Sequence, residues 1–146
     1  MGELSVRLNH NYTVSILDKK NRELIFRDIT GKDLEFLDFL LKTEDENVEG
    51  IKLNTDQVIK ILEKISLDKI DFNKFPPRII FSIFKKISEV ILCNYMTKIT
   101  WLKACYGIQN GSFMNVLDME KVPMSKFMAM IRIHEDAIES LNKNDT

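Results

Sequence analysis

Few residues in this 146-residue chain are of a type that does chemistry: two histidines, His10 and His134, and two cysteines, Cys93 and Cys105. The run His134-Glu135-Asp136-Ala137-Ile138 opens like the helical zinc-protease motif. That motif needs a second histidine one turn later, and Ile138 stands in its place, so a cation would lack its paired imidazole. His134 therefore reads as the edge of a helix's core face. His10 reads as an inward strand residue or a turn residue, with no cysteine or carboxylate cluster near it in sequence. Nucleophilic catalysis requires a Ser or Cys held against a base, and no Gly-Xaa-Ser-Xaa-Gly elbow or cysteine-nucleophile motif occurs. The five glycines, at 2, 31, 50, 107 and 111, are too scattered to cradle a phosphate, which requires several backbone amides converging from one short segment. Carboxylate pairs such as Asp68 with Asp71 and Glu135 with Asp136 read as solvated faces. The expectation is a chain without catalytic residues, cofactor or metal.

Binding is then the natural alternative. Met114, Met119, Met124, Met128 and Met130 fall within seventeen residues, and flexible thioethers are over-used on surfaces that accept partner helices. About half of them read as core, while Met128 falls off the adjacent helical stripe. Met124 and Met128, with Trp101, form the expected partner-binding patch. Charge is also uneven. Residues 31–49 hold two Lys against seven Asp and Glu, and residues 60–86 hold seven Lys and Arg against three acids. These segments pair with each other or steer a protein partner. The basic segment supplies a second function class, a nucleic-acid-binding regulator contacting phosphates through Lys64, Lys69, Lys74, Arg78, Lys85 and Lys86.

The elements that must position these residues follow from periodicity. Val6, Leu8, His10, Tyr12, Val14 and Ile16 alternate as a half-buried strand, and Glu23 to Ile29 forms a second run at hairpin distance. The pair becomes three-stranded if Asn9-His10-Asn11 turns. Thr30-Gly31-Lys32-Asp33 opens a helix striped by Leu34, Leu37, Phe39, Leu40 and Leu41. An acidic loop at 44–50 ends it, and Asn54-Thr55-Asp56-Gln57 caps a second helix striped by Val58, Ile61, Leu62 and Ile65. Pro76-Pro77 breaks the chain and starts a central helix, Arg78 to Met96, covered on most of its sides. A shorter helix carries Ile99, Leu102, Cys105 and Tyr106 on its stripe, with Asn110-Gly111 as its C-cap. Pro123 opens the last helix, striped by Phe127, Met130, Ile131, His134, Ile138 and Leu141.

Together these predict one α+β domain over residues 1–146: an N-terminal β-hairpin at 1–30, a mainly helical part of about five helices at 31–142, and a polar tail at 143–146. A composition 45% hydrophobic and 29% charged, with net charge −1, suits such a domain and provides no global field for nucleic acid or an anionic membrane. Both cysteines read as reduced and buried. The longest apolar stretch, Ile79 to Met96, is interrupted by Lys85, Lys86 and Glu89 and is too short to span a bilayer. The N-terminus shows neither a secretory signal nor the myristoylation pattern, which predicts a cytoplasmic protein. Eighteen Ile against three Ala, and 16 Lys against five Arg, suggest an AT-rich source genome.

The hairpin ending in Phe26-Arg27-Asp28-Ile29-Thr30-Gly31-Lys32-Asp33-Leu34, then Trp101, Leu117-Asp118-Met119 and Pro123-Met124 to Phe127, resembles small assembly proteins of bacteriophage tails and baseplates, including tail assembly chaperones. The resemblance covers most of the chain in order and rests on a few common residue types. It implies a non-catalytic assembly factor or subunit that binds another protein, and it supplies no catalytic residues. It leaves self-association into a homo-oligomer open.

Overall fold

The computed structural model describes residues 4–18, 22–41, 53–108 and 115–144. The architecture is α+β. Three antiparallel strands, β1 (Ser5–Leu8), β2 (Thr13–Leu17) and β3 (Glu23–Arg27), form one sheet in that order. β2 is central, pairing Val6 with Ile16 on one side and Ile16 with Leu24 on the other. The third strand exists because residues 9–12 turn. Tyr12 adopts φ 60°, and Asn9 ties the turn to β2 by donating its side-chain N–H to Thr13 Oγ1 and Ser15 Oγ, both at 3.0 Å. The turn corrects the inward register read through position 10: His10 is exposed and Leu8 is 70% exposed, because β1 is an edge strand with little stacked against it. Val14, Ile16 and Phe26 carry the buried face.

Six helices lie among the described residues: α1 (Asp33–Leu41), α2 (Thr55–Ile65), α3 (Pro77–Val90), α4 (Lys98–Ile108), α5 (Val116–Met119) and α6 (Met124–Asn144). The starts of α2 and α3, like that of α1, are written locally in the chain. Asn54 and Gln57 form a reciprocal capping box on α2, side chain to backbone in both directions at 2.9 Å. Pro77 occupies the first position of α3, where its missing N–H is not needed. α2 packs on α3 through Val58, Ile61, Leu62 and Ile65 facing Ile80, Ile83 and Ile87, all buried. Phe72 stacks on Phe26 and packs tilted against Phe75, with ring centroids 6.3 and 6.1 Å apart, and so joins the sheet to the helical layer. The sheet is also stitched to the end of α2 by a single bridge between Phe26 and Ser66.

Several helical details differ from the sequence reading. The long helix stops at Val90 rather than Met96. A 3₁₀ turn at Leu92–Asn94 follows, because the chain must bend to bring Tyr95 Oη within 2.5 Å of Asp38 and to let Asp38 accept the Lys98 N–H at 2.8 Å. α3 is also covered on one face only, and its Phe81 is 40% exposed. Phe39 of α1 is 85% exposed. In α4 the buried residues are Trp101 and Cys105, while Ile99 and Tyr106 face solvent. Cys93 is exposed, in the 3₁₀ turn, so of the two free thiols only Cys105 is buried. The acidic loop at 44–50, Asn110-Gly111 and Met114 lie outside the described residues.

The described part of the acidic segment does not pair with the basic one. Asp33 binds Arg27 at 2.6 and 2.9 Å, and Glu35 lies 3.6 Å from Lys98. Burial alone would raise the Asp33 carboxyl. The Arg27 guanidinium and the Thr30 N–H outweigh it and hold the carboxyl below the usual carboxylate range. Thr30 thus receives the return contact expected at this helix start.

Candidate interaction surface

α6 is rooted in the body by groups far away in sequence. Its first N–H donates to Ile29 O at 2.7 Å, and Pro123 bridges Thr30. One oxygen of buried Asp28 accepts both the Ser125 N–H at 2.9 Å and the Ser125 hydroxyl at 2.6 Å. Asp28 therefore does for α6 what an N-cap residue does locally: it satisfies an orphan donor with a carboxylate at the positive end of the helix. Its other oxygen is buried and has no hydrogen-bond partner among the described residues.

At about 100° per residue, most apolar side chains of α6, with His134 among them, occupy one arc of about 160°, from Ile133 through Ala137, Met130, Leu141, His134, Phe127 and Ile138 to Ile131, while Met124 and Met128 lie past its Ile131 edge and Ala129 before its Ile133 edge. The body covers only the first part of this arc. Met124 and Phe127 are fully buried, and Met130, Ile131 and His134 are half-buried. Beyond them Ile133 is 69% exposed, Ile138 45% and Leu141 65%, and every residue from Glu135 to Asn142 is exposed. The helix runs seventeen residues past Phe127, about 25 Å. An apolar face that packs at its root thus continues uncovered for about three turns.

This overturns most of the patch expected from methionine clustering. Trp101 and Met124 are 0% exposed and present nothing to a partner. Trp101 stacks on Phe127 with centroids 5.4 Å apart, and Lys98 Nζ lies 4.4 Å from the centroid of the Trp101 ring. Burial even leaves the indole N–H without an acceptor among the described residues. Met119 is buried as well, so at the described positions the thioethers mostly fill core. Met128 is half-buried on the flank of the α6 arc, the one member of the expected patch beside the exposed face. The residues that clustering missed are Ile133, Ile138 and Leu141. Their signal is the apolar stripe of the last helix, which runs on well past Phe127.

The basic segment has its cations outward: Lys60, Lys64, Lys69, Lys74, Arg78 and Lys85 are exposed and Lys86 is half-buried. Lys64 Nζ lies 5.4 Å from the Phe36 ring centroid. A shallow apolar groove of about 280 Å³ opens between α1, α2 and α3, lined by Leu37, Ile61, Phe84 and Tyr95 among others. Among the described residues no three His, Cys, Asp or Glu are grouped to hold a metal. Among them, too, no helix is long and apolar enough to cross a membrane. Cys105 is a poor nucleophile, because burial pushes its thiol up to about 11. Set against known protein families, curated proteins and solved structures, the chain matches none.

Proposed function

We propose that this chain is a non-catalytic protein-interaction or assembly module acting in the cytoplasm, and that it binds its partner through the uncovered end of α6. The observation that carries this is the exposure of Ile133, Ile138 and Leu141 on a helix whose apolar face is otherwise core. Exposed apolar surface of this kind, on a rigid element and continuous with the core, is suited to docking a protein segment. The order of elements that resembles tail and baseplate assembly proteins supports the same class of role. The test is affinity capture of the tagged chain from a nuclease-treated extract of its source cells, beside the variant Ile138→Asp/Leu141→Asp. A stoichiometric protein recovered by the natural chain and lost from the variant is the expected result. Equal recovery by both, or recovery of nucleic acid alone, would overturn the proposal.

A second reading, nucleic-acid binding, draws on Arg78, Phe81 and Lys85, which share one exposed face of α3. It requires binding that falls steeply with salt and is lost in Arg78→Glu/Lys85→Glu.

A further inference from the structure

We infer that this chain forms a two-fold symmetric dimer by pairing β1 of one copy antiparallel with β1 of a second, Val6 opposite Val6, so that the two three-stranded sheets become one. The inference is independent of the reading of α6 and starts from the backbone of the sheet. Asn9 N–H donates to Thr13 O, opposite it in the β1–β2 register, and Asp28 N–H donates to Tyr12 O, opposite it in the β2–β3 register. In an antiparallel ladder successive residues turn their N–H and C=O to opposite sides. Ser5, Arg7 and Asn9 therefore turn theirs toward β2, and Val6 and Leu8 turn theirs outward. The far edge of the sheet is already occupied: Leu67 N–H donates to Ile25 O at 3.0 Å, and Ser66 bridges Phe26. Among the described residues nothing pairs with the outward groups of β1.

The row along that edge is complementary to itself. Val6 and Leu8 lie on the face whose β2 neighbours Ile16 and Val14 are buried, Leu4 and Val6 pack against the core, and Leu8 is left 70% exposed. Edge strands are commonly guarded by a proline, a bulge or a charge pointing to the core side, and β1 has none of these. A second copy centred on Val6 sets Leu8 opposite Leu4 at both ends, covers the exposed leucine and closes about six backbone hydrogen bonds. Arg7 then stands opposite Ser5 and keeps its own Glu23. Centring the pair on Arg7 would instead set two arginines directly opposite, in the closely spaced kind of pair, which is unfavourable. Parallel pairing cannot close a two-fold and leaves an open edge on each added copy. The residues of β1 thus specify both the occupant, a second copy, and its register.

The test is sedimentation velocity of the full chain from about 10 to about 500 µM, because one strand pair makes a small and weak interface. A dimer that grows with concentration is expected. Val6→Pro removes an outward N–H, at a place where an edge strand tolerates proline, and is expected to abolish the dimer with the far-UV circular dichroism unchanged. Should that variant fail to fold, crosslinking decides, in a Cys93→Ser background that removes the exposed thiol. Opposite residues of a hydrogen-bonded pair have Cα atoms about 5.5 Å apart, within disulfide reach, whereas Arg7 of the two copies would lie beyond about 7 Å. Val6→Cys is therefore expected to crosslink about tenfold faster than Arg7→Cys, although position 7 is the more exposed. A monomer at every concentration, a dimer that persists in folded Val6→Pro, or crosslinking as fast through position 7 would each overturn the inference. So would a dimer lost in Ile138→Asp/Leu141→Asp but kept in Val6→Pro, which would place self-association on α6.

Discussion

Gly31→Ala tests the packing that hides Trp101. Gly31 is buried, and a Cβ built there would lie 2.3 Å from Trp101 Cζ2, 2.4 Å from Cε2 and 2.9 Å from Nε1. These atoms belong to a rigid ring stacked on Phe127 and itself 0% exposed, so it cannot swing aside. Gly31 does not have positive φ, so the whole penalty is steric. Overpacking a filled core costs about 1–3 kcal/mol, and a clash with an immovable ring belongs at the upper end, about 3 kcal/mol. That lowers the melting temperature of a chain of this size by about 10 °C. The assay is urea denaturation followed by far-UV circular dichroism, because Trp101 is the chain's one tryptophan and the control removes it. In a Trp101→Leu background the three clashing atoms are gone, and Gly31→Ala should then cost less than about 1 kcal/mol, a coupling of about 2 kcal/mol. An equal cost in both backgrounds, or a cost below about 0.5 kcal/mol in the natural chain, would refute the account.

Three further outcomes are expected. Asp33→Asn should lower stability at pH 7 by about 2 kcal/mol through loss of charge-assisted hydrogen bonds to Arg27 and Thr30. A carboxyl held below its unfolded value stabilises fully above about pH 4, and that stability is lost as pH falls through the folded value. The deficit of the variant should therefore shrink toward pH 2.5; an unchanged deficit in denaturation midpoints speaks against the pairing. Ellman's reagent at pH 8 should titrate one thiol, exposed Cys93, within minutes and reach buried Cys105 only after unfolding, whereas two fast thiols would contradict the burial of Cys105. Ile138→Asp/Leu141→Asp should change stability by no more than about 0.5 kcal/mol, while Trp101→Ala should cost about 3–5 kcal/mol, so comparable losses in thermal melts would mean that the end of α6 is covered.

The features legible in the chain are those whose cause is local. The Asn54–Gln57 box spans three residues, Pro76-Pro77 acts on its own first turn, and the alternation of Val14 and Ile16 needs only a strand. Each was readable because the partner lies within a turn or across a hairpin. What the chain did not show depends on partners distant in sequence. Asp38 meets Tyr95 and Lys98 across 57 and 60 residues, and their contact shortens the long helix. Asp28 caps α6 across 97 residues. Trp101 reads as a surface anchor by type, yet becomes core because Gly31 opens room for its ring and Phe127 closes over it.

The same division governs the face of α6. The amphipathic stripe of α6, Ile138 and Leu141 included, was determined by sequence alone, since 3.6-residue periodicity needs no neighbour to define a face. Which part of that stripe is core and which is surface was decided only by tertiary structure. Burial is a property of what else packs there, and the body of this protein reaches Phe127 and stops short of Ile138.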